Sequence, residues 1–148
     1  MQPNIYLDID QVLIANENYA ANYASDLIKY VVENFPTYWL TTHVMDGNAQ
    51  TAIDHIGHLF DEATVELMRQ IKGTSWRILK TEAIDMSKPF IWLDDDCLEE
   101  ERAVLLKHNC LENWREINLF ENEDQLLDIL NDFPVAAQPL LPPYQGHI

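Results

Sequence analysis

Basic residues, cysteines and glycines are all scarce in this chain of 148 residues, and each scarcity narrows what the protein can be. Nine Lys and Arg stand against 25 Asp and Glu, so the formal net charge is −16. Such a charge disfavours nucleic acid and anionic membranes as partners and suits a bound cation. The two cysteines, Cys97 and Cys110, form no CxxC pair and are too few for a disulfide framework. The four glycines form no phosphate-binding loop.

Long apolar segments and targeting signals are also missing from the sequence. No apolar segment approaches the length of a membrane span, and the N-terminus lacks the basic and apolar regions of a signal peptide. We therefore expect a cytoplasmic protein without a membrane partner. Apolar residues nevertheless make up 47% of the chain, which is enough to build the core of one folded domain.

Short apolar segments alternate with helical patterns along the chain. The predicted strands are 4–8, 38–41, 76–79, 89–93 and 116–119, and the predicted helices are 17–34, 48–59, 62–71, 98–108 and 124–130. This alternation predicts an α/β fold, a three-layer Rossmann-like parallel sheet of about five strands with helices on both faces. The domain would cover 1–133, and the proline-rich segment 134–148 would be a strap or loose tail.

Polar residues lie at the carboxyl ends of four predicted strands, namely Asp8, Thr41, Lys80 and Asp95. In open parallel sheets, ligands bind beyond these strand ends, so the four side chains should converge. Asp10 follows Asp8 after a single residue, and closely packed carboxylates repel each other. A divalent cation relieves that repulsion, and Mg²⁺ prefers such oxygen ligands. A hydroxyl and a lysine at the same edge can bind a phosphoryl group.

Four segments resemble, in order, the motifs of the haloacid dehalogenase-like (HAD) superfamily. LDIDQVL is similar to its first motif and YWLTT to its second, while Lys80 stands for the third and FIWLDDD for the acidic fourth. Together they span residues 4–96. The intervals are 30 residues between Asp10 and Thr41 and 37 between Thr42 and Lys80, which leaves no room for a large cap domain. The chain therefore resembles small cap-less members of the superfamily.

The resemblance implies a magnesium-dependent phosphatase that acts on a small phosphorylated substrate. Asp8 would be the nucleophile and form an aspartyl-phosphate. Asp10 would protonate the leaving group and then activate water. Thr41, with Thr42 beside it, would bind the phosphoryl oxygens, and Lys80 would balance charge between nucleophile and phosphate.

The metal ligands implied by the resemblance come from the first and fourth motifs. Asp8 would bind Mg²⁺ through its side chain and Asp10 through its backbone carbonyl. Asp95 would be the outer metal ligand, and Asp94 would contact either the lysine or a metal-bound water.

Two residues near these motifs could shape the substrate site. Gln11 stands where the superfamily usually has Gly, a residue that suits an unusual backbone angle or a close approach. It could narrow the site or contact the substrate. His43 lies beside the second motif and could contact the substrate or serve a structural role.

Several alternatives stay open at this point. A catalytically silent HAD-like binding or scaffold protein is compatible with Gln11, although such a protein would not need Asp10. A signal-receiver domain is disfavoured because Thr and Lys precede the last acids in this chain. His55 and His58, three residues apart on one predicted helical face, could bind a metal weakly or be ordinary surface or core residues. Nucleotides, sugar phosphates and phosphorylated nucleic-acid ends all fit the chemistry, the last being disfavoured by charge. The oligomeric state is equally open.

Overall fold

A parallel β-sheet lies at the centre of the computed structural model, which describes residues 2–133. The strands are β1 (Asn4–Leu7), β2 (Ile14–Asn16), β3 (Tyr19–Ala20), β4 (Thr37–Trp39), β5 (Phe90–Asp94) and β6 (Trp114–Glu116). The helices are α1 (Ala24–Asn34), α2 (Gln50–Ile56), α3 (Glu62–Met68), α4 (Glu99–Lys107) and α5 (Gln125–Asp132), with 3-10 turns at Gly57–Leu59, Lys80–Ala83 and Leu111–Asn113. The prediction of an α/β fold around a parallel sheet is confirmed. The proposed tail at 134–148 falls outside the described residues.

Four strands form the parallel sheet, in the order β4-β1-β5-β6. From β1 the chain adds β4 on one side and then crosses to the other side to add β5 and β6. The direction of strand addition therefore reverses between β1 and β5. In open parallel sheets this reversal opens a crevice at the carboxyl ends of the two strands, where ligands bind.

Both faces of the sheet are covered, which explains why β1 and β5 are buried along their whole length. Side chains alternate between the faces. Ile5 and Leu7 belong to one apolar cluster with buried residues of α1, α2, α3 and α5. Tyr6 and Trp92 point to the other face and cluster with Leu105 of α4. Within the described part of the chain, no helix is both long enough and apolar enough to cross a membrane.

The predicted strand at 76–79 is wrong, so the sheet has four strands rather than five. Arg77, Ile78 and Leu79 donate their backbone N–H groups to the carboxylate of Glu82, at 2.9–3.2 Å, instead of to a neighbouring strand. Ile78 is 75% exposed, so the apolar pattern there does not mark a core segment. On the outer side of β4, Tyr38 instead forms an isolated β-bridge with Lys72.

The helix predicted from residue 17 begins at Ala24, because β2 and β3 form an antiparallel hairpin first. The side chain of Asn16 accepts the backbone N–H of Asn18 at 2.8 Å, which favours a tight turn between the strands. Tyr23 has a φ of 67°, a left-handed conformation that keeps the helix from starting earlier.

The last strand lies two residues earlier than predicted, at Trp114–Glu116 instead of 116–119. Its register is set by pairing with β5, in which Asp94 lies opposite Glu116. Beyond this pair the side chain of Gln125 accepts the backbone N–H of Asn118 at 2.6 Å. The Asn118 N–H is therefore bonded to a side chain, whereas in a longer strand it would be available to the sheet.

Candidate active site

Asp8 and Asp94 lie side by side at the carboxyl ends of the two central strands. Leu7 is paired with Leu93 in the parallel register of β1 and β5. The Asp8 backbone N–H donates to the Leu93 carbonyl at 3.1 Å, so the two chains are still hydrogen-bonded at the point where the acids emerge. Both carboxylates therefore sit where the direction of strand addition reverses. The sequence correctly predicts this convergence for Asp8 and the fourth motif.

Lys80 forms ion pairs with both acids. Its Nζ lies 2.7 Å from Asp94 Oδ2 and 3.3 Å from Asp8 Oδ1. The three side chains are well buried, with 13%, 2% and 9% of the surface exposed for Lys80, Asp94 and Asp8. Although 76–79 is not a strand, Lys80 still reaches the predicted edge, because the 3-10 turn that it opens lies beside α4.

Glu101 of α4 fixes the position of Lys80 through the backbone. One carboxylate oxygen of Glu101 accepts the Lys80 backbone N–H at 2.7 Å, and the other accepts the Leu98 N–H at 2.9 Å. Glu101 is only 3% exposed. Although Glu101 lies in the acidic first turn of α4, its side chain is buried rather than solvated. A carboxylate three residues after the helix start is a common capping position, and that spacing is a signal for it.

Asp94 has most of its hydrogen-bonding capacity filled by protein groups. Oδ2 accepts from Lys80 and from Trp92 Nε1 at 3.1 Å, and Oδ1 accepts the Asp96 backbone N–H at 3.2 Å. Trp92 is fully buried in the core of the domain. Its position two residues before Asp94 on the same strand face brings its indole to the carboxylate. Of the two roles considered for Asp94, these contacts fit the partner of the lysine.

Asp8, Asp94 and Asp95 form an acidic cluster. One carboxylate oxygen from each lies within 4.8 Å of the others. Burial, and then the charge of Asp8, raises the pKa of Asp94, and the same two causes raise the pKa of Asp95. Burial alone would lower the pKa of Lys80, but the charges of Asp8 and Asp94 outweigh it and raise that pKa. One lysine charge therefore faces three acids, an imbalance that a cation would relieve.

Thr41 and Thr42 follow β4, next to the carboxyl end of β1. Thr41 is fully buried, and its Oγ accepts the backbone N–H of His43 at 3.2 Å. The Thr41 hydroxyl retains its own proton for donation to another group. Thr42 is exposed. Both residues lie at the carboxyl end of the sheet, as predicted. Thr41 has the more fixed position, because it is buried and hydrogen-bonded.

Gln11 has a φ of 63°, the left-handed conformation for which glycine is the usual residue. Its side-chain Nε2 donates to the Ala15 carbonyl at 2.6 Å, and its backbone N–H donates to the Ile14 carbonyl at 2.9 Å. These contacts stabilise the turn that leads from Asp10 into β2. Gln11 can therefore stand in place of the usual glycine, because these two hydrogen bonds stabilise its left-handed conformation.

Asp10 lies further out than Asp8, and 55% of its side chain is exposed. Its Oδ2 is 2.9 Å from His43 Nε2. The His43 ring in turn stacks on His55 of α2, with ring centroids 3.9 Å apart. The sequence pairs His55 with His58 because they are three residues apart on one predicted helical face, but the fold brings His55 to His43 instead. The contact joins residues 12 positions apart, and no local pattern indicates it.

A search of protein-family models, of curated proteins and of solved structures gave no match to this chain.

Proposed function

We propose that the protein is a magnesium-dependent phosphatase of the HAD-like type that acts through an aspartyl-phosphate on Asp8. The observation that carries this proposal is the Asp8–Lys80–Asp94 ion-pair cluster at the carboxyl ends of β1 and β5. It combines a nucleophilic carboxylate with a fixed positive charge in the crevice where a parallel sheet binds its ligands. The substrate would be a small phosphorylated molecule, since a net charge of −16 disfavours nucleic acid.

The acidic cluster fits Mg²⁺, because all three acids offer oxygen atoms within 4.8 Å of one another and only one lysine balances them. Asp8 and Asp95 would hold the ion with the backbone carbonyl of Asp10. Asp94 is less available, since its oxygens already accept from Lys80, Trp92 and Asp96. When bound, Mg²⁺ supplies positive charge next to the phosphoryl oxygens.

In the first step an Asp8 carboxylate oxygen forms a bond to phosphorus, and the bond from phosphorus to the ester oxygen breaks. Asp10 gives its proton to the departing oxygen. In the second step Asp10 takes a proton from water while the water oxygen attacks phosphorus. The bond from phosphorus to Asp8 breaks, which releases phosphate and restores both acids. Lys80 and the Thr41 hydroxyl offset the negative charge of the phosphoryl oxygens in both steps.

The catalytically silent alternative depends on Gln11, which replaces the usual glycine. The Gln11 side chain is hydrogen-bonded to Ala15 at 2.6 Å, so it is held by its own turn. Asp10, which a silent relative would not need, is also present. These contacts support the enzyme over the scaffold protein.

Hydrolysis of p-nitrophenyl phosphate, with Mg²⁺ or with a chelator, tests the proposal. We expect turnover by the wild type only with Mg²⁺, and none by Asp8→Asn, because an amide is not a nucleophile. Asp95→Asn should need a higher Mg²⁺ concentration while keeping its fold. Turnover by Asp8→Asn equal to that of the wild type would refute the mechanism. No turnover by the wild type with any divalent metal would favour the silent binding protein.

A further inference from the structure

We propose that Asp10, His43 and His55 form a second cation site, selective for a transition metal such as Zn²⁺, whose occupation inhibits the enzyme. Zn²⁺ binding follows from the three side chains alone. Inhibition rests on the proposed phosphatase function, in which Asp10 carries the proton. The two parts can therefore fail separately.

The three residues converge from separate parts of the chain: Asp10 follows β1, His43 follows β4 and His55 lies on α2. One potential ligand atom from each lies within 4.8 Å of the others. Neighbouring ligands of a tetrahedral Zn²⁺ are about 3.3 Å apart, given bonds of about 2.0–2.1 Å. Asp10 and His43 are already closer than that, at 2.9 Å. The stacked His43 and His55 rings are nearly parallel, so one ring must rotate before both nitrogens point to the same ion. Partly exposed side chains can make that adjustment.

The two imidazole rings are held together before any metal binds. They stack with centroids 3.9 Å apart and an angle of 25° between the ring planes. A site whose ligands are already neighbours loses less side-chain entropy when the ion binds. Exposure of 28% for His43 and 55% for Asp10 gives a metal ion access from solvent.

The ligand types separate this site from the acidic cluster at Asp8. Imidazole nitrogen suits Zn²⁺, Co²⁺, Ni²⁺ and Cu²⁺, whereas Mg²⁺ prefers oxygen and keeps much of its water. Two imidazoles and one carboxylate are a common three-residue set for Zn²⁺. Saturating Mg²⁺ should therefore fill the acidic cluster and leave the histidine site free for a transition metal.

Occupation of this site would remove Asp10 from catalysis. A carboxylate bound to Zn²⁺ is held deprotonated by the ion and has its basicity lowered, so it can neither give a proton to the leaving group nor take one from water in the second step. The proposed Mg²⁺ contact of Asp10 is its backbone carbonyl, so Mg²⁺ can stay bound. Inhibition should therefore lower turnover without displacing Mg²⁺.

The binding test titrates Co²⁺, followed by its visible absorption, into the full chain in saturating Mg²⁺, and then repeats the titration with Zn²⁺ in a calorimeter. His55→Ala is compared with His58→Ala, since both histidines are exposed and lie at the same end of α2. We expect one site in the wild type and in His58→Ala, and at least tenfold weaker binding in His55→Ala. Equal affinity in all three proteins, or equal losses in both variants, would overturn the site.

The inhibition test measures p-nitrophenyl phosphate hydrolysis at saturating Mg²⁺ with increasing Zn²⁺. We expect Zn²⁺ to inhibit the wild type and His58→Ala, and His55→Ala to need at least tenfold more Zn²⁺ for the same inhibition. Zn²⁺ bound through His55 without inhibition would overturn the inhibitory role and leave the binding site standing. Absence of any turnover would count against the phosphatase, while the Co²⁺ titration would still decide the metal site.

Discussion

At the scale of single residues, Lys80 has the most specific position in the candidate site. Its Nζ contacts Asp8 and Asp94, and both of its partners are nearly buried. Lys88 is closer in sequence to the acidic motif, but it is exposed and precedes β5 at the opposite end of the strand. Lys88 and Asp94 are six positions apart, which is about 20 Å in an extended chain and beyond the reach of a lysine side chain.

The two lysines should therefore respond differently to substitution. We expect Lys80→Ala to lose most phosphatase activity and to lower the free energy of unfolding by about 3 kcal/mol, because two buried acids lose their partner. Lys88→Ala should keep its activity and stay within about 0.5 kcal/mol of the wild type. Turnover and urea unfolding of both variants at saturating Mg²⁺ provide the comparison. If Lys88→Ala is the inactive variant, the assignment of Lys80 to the site is wrong.

At the scale of secondary structure, α4 and the Lys80 turn depend on the same buried carboxylate. Glu101 accepts the backbone N–H groups of Lys80 and Leu98, and it is 3% exposed, whereas the neighbouring Glu100 is exposed. Glu101→Ala should leave two backbone donors without their partner and cost about 2 kcal/mol of stability. Its effect on turnover should appear as lower kcat, since Lys80 loses its fixed position.

Glu100→Ala is the matched control for Glu101→Ala and should change stability by less than about 0.5 kcal/mol. Thermal unfolding and steady-state kinetics of the two variants test the difference. Equal stability of both variants would mean that the Glu101 hydrogen bonds do not hold the Lys80 turn.

The elements also show how far the sequence predicts this fold. β1 and β5 are largely apolar because they are buried on both faces, so the sequence indicates them and the acids at their carboxyl ends. The segment 76–79 has the same apolar character, but Glu82 binds its backbone N–H groups. The stacking of His43 on His55 depends on how a loop meets α2, and no periodicity encodes such a contact.

At the scale of the whole molecule, the acidic cluster should make stability depend on pH and on Mg²⁺. The pKa values of Asp94 and Asp95 are raised by burial and by Asp8, so the folded protein binds protons that the unfolded chain releases. Their contribution to stability is complete below the usual aspartate pKa of about 3.9 and is lost as pH rises toward their folded values. Mg²⁺ neutralises the same charges when the acids are deprotonated.

We therefore expect Mg²⁺ to raise the melting temperature more at pH 8 than at pH 5, because at the lower pH protons compete with the ion for the raised-pKa acids. Melting curves at both pH values, with Mg²⁺ and with a chelator, measure the effect. Asp95→Asn should reduce the Mg²⁺-induced shift at pH 8. A shift that is equal at both pH values would argue against Mg²⁺ binding to this cluster.

The central claim is that Asp8 carries the phosphoryl group, and a burst experiment with Asp10→Asn tests it most directly. p-Nitrophenolate leaves without needing a proton, so this variant should complete the first step but hydrolyse the intermediate on the order of a hundred- to ten-thousand-fold more slowly. We predict a burst of one p-nitrophenol per active site, dependent on Mg²⁺, and the mass of one phosphoryl group on the peptide that contains Asp8. A burst retained when Asp8→Asn is added, or a phosphoryl group on another residue, would contradict the account.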